Sequence, residues 1–141
     1  MSHQLNFIYN DSDWVAPSEY PDLRQADEVA IDLETKDPNL LTMGSGSVRG
    51  DGEVIGIAVA VEGWSGYFPI NHEGGGNMDR ALVLDWFEEV LHTDATKIFH
   101  NAMYDVSWIR SMGFQIRGGI IDTLIAASLI NENRWGYALN A

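Results

Sequence analysis

A chain of 141 residues with 45% apolar and 21% charged residues has the size and balance of one globular domain with a real core. Its net charge of −13, from 8 Lys and Arg against 21 Asp and Glu, excludes a module that grips a nucleic-acid backbone by overall charge, so any strand must be held locally. The lack of Cys excludes disulfides and thiolate metal sites. No apolar run reaches the roughly 18 residues of a membrane span, and Met1-Ser2-His3-Gln4 lacks a signal-peptide pattern, so the expectation is a cytoplasmic protein without membrane contact.

Residues 1–28 read as a polar lead-in that packs on the core. Phe7-Ile8-Tyr9 is expected as a short edge strand, Trp14, Val15 and Tyr20 as packing residues, and Pro17 and Pro21 oppose a regular helix. Val29 to Thr35 is predicted as a strand. Thr35 to Gly52, with Asp37-Pro38 and Met43-Gly44-Ser45-Gly46-Ser47, is predicted as a long loop, a length that often marks function. Val54 to Val61 is a near-continuous apolar strand expected to be buried on both faces, Glu62-Gly63 turns, and Trp64 to Ile70 returns as a hairpin. His72 to Asn77 is a connector. Asp79 caps a predicted helix running to about His92, with Leu82, Trp86 and Val90 on its buried side. A short strand at 97–99, a helix from near Asn101 to before Gly113, a strand at 118–121 and a helix at 122–131 complete the order. A meander followed by strand–helix crossovers predicts an α/β fold of RNase H-like layout, a mixed five-stranded sheet flanked by helices.

The chemistry concentrates in two places. In Val29-Ala30-Ile31-Asp32-Leu33-Glu34-Thr35, alternation puts Asp32 and Glu34 on one face, with Cα atoms roughly 6.5–7 Å apart. Two carboxylates in an apolar run repel each other and resist desolvation, and Mg²⁺ or Mn²⁺ is the usual compensation. In Phe99-His100-Asn101-Ala102-Met103-Tyr104-Asp105, Asn101 and Asp105 project from one helix face. Asp105 can supply a third carboxylate, Asn101 can meet a phosphate at the helix N-terminus or cap the helix, and Tyr104 offers a ring to a base or a hydroxyl to a phosphate. Asp122 reads as an N-cap or a group behind the ligands, and His100 as a satisfied structural histidine. The glycines at 74–76 lack the following Lys of a phosphate-binding loop.

The Asp32-x-Glu34 strand, the Asn101-x-x-x-Asp105 helix with Tyr104, and the spacing between them resemble the DEDD-type 3′→5′ exonucleases. The match is closer to the proofreading domain of family A DNA polymerases, bacteriophage ones especially. Tyr67-Phe68-Pro69-Ile70 with His72, and Ile121 to Ala127, also resemble that domain. The resemblance implies that Asp32, Glu34 and Asp105 are three of four metal-binding catalytic carboxylates for two divalent cations, Mg²⁺ or Mn²⁺. It implies that Leu33 and Thr35 approach the terminal nucleotide, and that Asn101 and Tyr104 contact the strand. The implied reaction is hydrolysis of the 3′-terminal phosphodiester of single-stranded DNA, releasing nucleoside monophosphates, with a polymerase domain in cis or on another chain and a bacterial host cytoplasm if the chain is phage-encoded.

The family's third motif, a Tyr or His followed by the fourth aspartate, is expected beyond Tyr137-Ala138-Leu139-Asn140-Ala141, where Ala141 stands in place of an acid. Residues 29–141 are therefore expected to form an exonuclease-like domain without its final helices and with impaired activity. An RNase D-like exoribonuclease, and a non-catalytic truncated module that binds a polymerase or a strand end, stay open.

Overall fold

The computed structural model describes residues 16–125. The expected strand at 7–9, the packing of Trp14 and Val15, most of the last predicted helix and the segment around Tyr137 lie outside them. The described elements are β1 (Glu28–Lys36), α1 (Leu40–Met43), α2 (Gly46–Arg49), β2 (Glu53–Val61), β3 (Trp64–Pro69), α3 (Arg80–Leu91), β4 (Thr96–Phe99), α4 (Ala102–Ser111) and β5 (Ile120–Asp122).

The five strands form one sheet in the order β3-β2-β1-β4-β5. The β-rich runs of β1, β2 and β3 make an antiparallel meander, and β4 and β5 join parallel to β1 and to each other. Parallel neighbours need crossovers, which α3 and α4 provide. The predicted α/β, RNase H-like order of strands and helices is therefore the observed one.

The core lies on the face of β1 that carries Val29, Ile31 and Leu33, where it gathers Ile57, Val59 and Phe68 from the meander, Val83, Phe87 and Val90 from α3, and Trp108 and Ile109 from α4. Tyr20 stacks on Phe68 at 5.8 Å, and the Trp86 indole donates to the Pro21 carbonyl at 2.8 Å, so the lead-in packs on the core from Tyr20 onward.

Three expectations change. Leu82 is 55% exposed, because the apolar stripe of α3 runs through Val83, Phe87 and Val90, and Leu82 stands about 100° away from Val83 around the helix. The 35–52 stretch is a folded lobe: β1 runs on to Lys36, and two four-residue helices, α1 and α2, stand where breakers predicted an unstructured loop. Asp122 both ends β5, where it pairs with Phe99, and caps the helical turn that starts at Thr123 by accepting from Leu124 N at 2.9 Å, as an N-cap was expected to. On β2, Ala58 and Ala60 are only partly buried, since the second face of the sheet is open over these small residues.

Candidate active site at the parting of two strands

β1 pairs with β2 along most of its length but with β4 only over Glu28–Ala30. Past Ala30 the parallel strands part, and α4 enters beside the gap. Asp105, one turn into α4, is 4% exposed, and its carboxylate accepts a hydrogen bond from the Leu33 backbone. Burial pushes this carboxyl up to about 8, and the charges of Asp32 and Asp122 push the same way.

Across the sheet, Asp32 and Glu34 face Ala58 and Gly56, two residues with little or no side chain. Asp32 borders a concavity of about 780 Å³ on the open face, together with Ala30, Ala58, Ala60 and His100. Glu34 is 6% exposed, and its Oε1 is buried with no hydrogen-bond partner. Burial pushes its carboxyl up to about 7, and Asp32 adds to the shift.

An orphaned, buried carboxylate oxygen that also feels the charge of Asp32 is a group in need of a positive charge. All-oxygen donors suit Mg²⁺ or Mn²⁺. Among the described residues, however, no three His, Asp or Glu side chains stand close enough together to hold an ion. Like charges without a counter-ion keep apart or take up protons, so the donor set fits a cation by chemistry and burial, and capturing one must draw the carboxylates together.

The N-terminus of α4 is not the open anion site that its spacing suggested. The Asp122 carboxylate already occupies it, accepting from Asn101 N at 3.0 Å, Ala102 N at 2.9 Å and Leu124 N at 2.9 Å. Burial opposes ionisation of Asp122, yet these backbone donors hold its carboxyl below the usual range. Asn101 caps nothing with its side chain. It sits exposed at φ 69°, the only non-glycine residue with positive φ among those described, so its amide is left for other partners.

Tyr104 differs from expectation in a comparable way. Its ring packs on the core, and its hydroxyl donates to Asp37 Oδ2 at 3.0 Å and lies 2.7 Å from Thr35 Oγ1. That hydroxyl is committed to the lobe and to β1. Thr35 is 5% and Leu33 7% exposed, and the Leu33 side chain belongs to the core, so Leu33 presents its backbone rather than its side chain to the cleft.

Sequence reasoning missed Asp37. It accepts from Tyr104 and from Gly46 N at 3.1 Å, and so ties the start of α2 to α4. Ser47 and Ser107, with hydroxyls 2.7 Å apart, add a second tie. Asp37-Pro38 read as a breaker, and nothing in one chain signals a partner 67 residues away. His100 is also not the satisfied histidine expected: Nδ1 meets Thr123 Oγ1 at 2.8 Å, while Nε2 is buried without a partner. On the other side of Glu34, the Tyr67 hydroxyl lies over Gly56 and meets His72 Nε2 at 2.6 Å.

The family described as 3′-5′ exonuclease matches residues 20–139. The chain is 37% identical to a DNA-directed DNA polymerase of Pseudomonas phage M6, over 92% of this chain and 21% of that protein. It is 26% identical to DNA polymerase I of Borreliella burgdorferi, over 79% of this chain and 11% of that one. Brucella melitensis NrnC, solved also with bound Mg²⁺, superposes with a TM-score of 0.56 at 25% identity, over 84% of this chain and 52% of the NrnC chain. The chain thus spans about a fifth or less of the polymerases it matches.

Proposed function

Because the chain belongs to the 3′-5′ exonuclease family of polymerase I-type DNA polymerases, we propose that Asp32, Glu34 and Asp105 hold two divalent cations, Mg²⁺ or Mn²⁺, and hydrolyse the 3′-terminal phosphodiester of single-stranded DNA. The observation that carries this reading is the partnerless, buried Oε1 of Glu34, with Asp32 acting electrostatically on both Glu34 and the buried Asp105.

Bound there, two divalent cations supply an activated water and a stabilised leaving oxygen. The chain's own residues do the rest. Asp32, bordering the concavity on the open face, would hold the cations together with Glu34 and Asp105. Glu34 and Asp105, whose burial disfavours the charged form, would give up their protons to solvent on holding the cations. The Asn101 amide, free of capping, donates to a phosphate oxygen of the strand. The backbone of Leu33 and the Thr35–Tyr104 pair wall the cleft where the terminal nucleotide rests, and Asp122 supports this arrangement from behind. A polymerase region, in cis or on another chain, delivers the 3′ end.

An RNA strand is the competing substrate. Incubating 5′-labelled DNA and RNA of one sequence with this chain and Mn²⁺ tests the reading: DNA shortened from its 3′ end faster than RNA supports it. Faster loss of RNA assigns an exoribonuclease, and cation binding without cleavage of either strand assigns a non-catalytic module.

A further inference from the structure

Asp122, the last residue of β5, and Thr123, which follows it, grip the β4–α4 junction. Asp122 takes the backbone N–H groups of Asn101 and Ala102, and is itself fixed by Leu124 N at 2.9 Å. Thr123 Oγ1 donates its single hydrogen to the Phe99 carbonyl at 3.2 Å, so its 2.8 Å contact with His100 must be donated by His100 Nδ1–H. Phe99, His100, Asn101 and Ala102 are thereby each tied to residues 122–123, in continuation of the Phe99–Asp122 pairing of β4 and β5. Between these ties stands Asn101 at φ 69°, ψ 63°, a left-handed conformation that a side-chain cap does not explain, because its side chain makes no cap bond. The Asp122 carboxylate, and not the Asn101 side chain, takes the first helical amide, Ala102 N.

We infer that Asp122 and Thr123 are positioning residues whose task is to hold Asn101 in the left-handed conformation, with its amide turned out toward the strand rather than back onto its own helix. The inference rests on the proposed contact of Asn101 with substrate. An Asn at the start of a helix ordinarily folds its side chain onto the second or third amide. Here the Asp122 carboxylate clasps the two successive N–H groups of Asn101 and Ala102, an anion-holding turn that suits a left-handed residue, so the Asn carboxamide is presented at a fixed place. Loss of Asp122 removes the anion that holds this left-handed turn, and Asn101 then relaxes to ordinary capping geometry, folding its carboxamide back toward Met103 N or Tyr104 N.

Two measurements on the full chain test this. The first is the backbone dihedral of residue 101, read from NMR couplings and shifts. Asp122→Ala, and to a lesser extent Thr123→Val, should move it out of the left-handed region, while Asp122→Asn, which keeps an acceptor oxygen, should retain it. A left-handed residue 101 in Asp122→Ala overturns the inference whatever the activity. The second is a double-mutant cycle on Mn²⁺-dependent shortening of 5′-labelled single-stranded DNA. Asn101→Gly keeps the left-handed turn but removes the amide. Asp122→Ala should slow wild type by about tenfold or more and do little in the Asn101→Gly background. Equal losses in both backgrounds overturn the inference and leave the nuclease reading intact, as does an Asn101→Gly chain of wild-type rate. Failure of the nuclease reading shows separately, as shortening that persists in Asp32→Ala.

Discussion

The Tyr104 hydroxyl joins Thr35, at 2.7 Å, to Asp37, at 3.0 Å, and so fastens the 37–52 lobe to the helix that carries Asp105. Tyr104→Phe removes both bonds and leaves Asp37 and Thr35 to find water. Each such bond contributes about 1 kcal/mol net, so a loss of about 1–2 kcal/mol is expected in urea unfolding. Hydrogen exchange should speed up in the lobe before the sheet. Unchanged protection in residues 37–52 would show that the lobe does not depend on this tie.

The raised carboxyls make stability depend on pH in a defined direction. Glu34 and Asp105 titrate near 7 and 8 in the folded chain, against ordinary values of 4.5 and 3.8. The folded state therefore binds more protons than the unfolded state between about pH 4 and pH 8, and metal-free stability falls as pH rises through that window. The loss is on the order of a few kcal/mol for two such groups. Thermal unfolding should give a lower midpoint at pH 8 than at pH 5.5 without cations, and Mn²⁺ should raise it more at pH 8. A metal-free midpoint that rises with pH would contradict this electrostatic account.

Lys97 is fully buried in β4, and its ammonium donates to the carbonyls of Thr93 at 2.5 Å and Arg117 at 2.7 Å. Burial pulls its pKa down. It pins the chain after α3 to the approach to β5, far from the carboxylates in role. Lys97→Met keeps the stem but strands two carbonyls, and should cost about 2–3 kcal/mol in urea unfolding. A midpoint equal to wild type would mean that water or backbone shifts replace the ammonium.

Gly56 leaves room for a phenol. A Cβ there would lie 1.8 Å from the Tyr67 hydroxyl, which is held by His72. Gly56→Ala should destabilise the chain by about 1–3 kcal/mol through overpacking. Adding Tyr67→Phe, which shortens the ring's reach, should restore part of the loss. Strict additivity of the two changes would rule out the steric explanation.

The strand order, the core stripe of β1 and the acid-bearing elements were legible because each is written in local periodicity: Val29, Ile31 and Leu33 alternate with Ala30, Asp32 and Glu34. The site's wiring was not legible for the opposite reason. Asp122 reaches amides 20 and 21 residues back, and Asp37 meets Tyr104 67 residues on, partners that only the closed sheet brings together. The helices α1 and α2 were hidden by their brevity, four residues each among breakers, with α2 held by the Ser45 cap and Asp37 rather than by propensity. Leu82 misled because an apolar residue beside a stripe looks the same in sequence as one within it.

The carboxylates at the parting of β1 and β4 are the proposed cation-dependent nuclease centre. The most direct measurement is Mn²⁺-dependent degradation of 5′-labelled single-stranded DNA by this chain, with Asp32→Ala alongside. A nuclease centre there gives a ladder that shortens from the 3′ end, needs the cation, and disappears in Asp32→Ala. An undegraded strand at saturating Mn²⁺, or a ladder that survives the substitution, would contradict it.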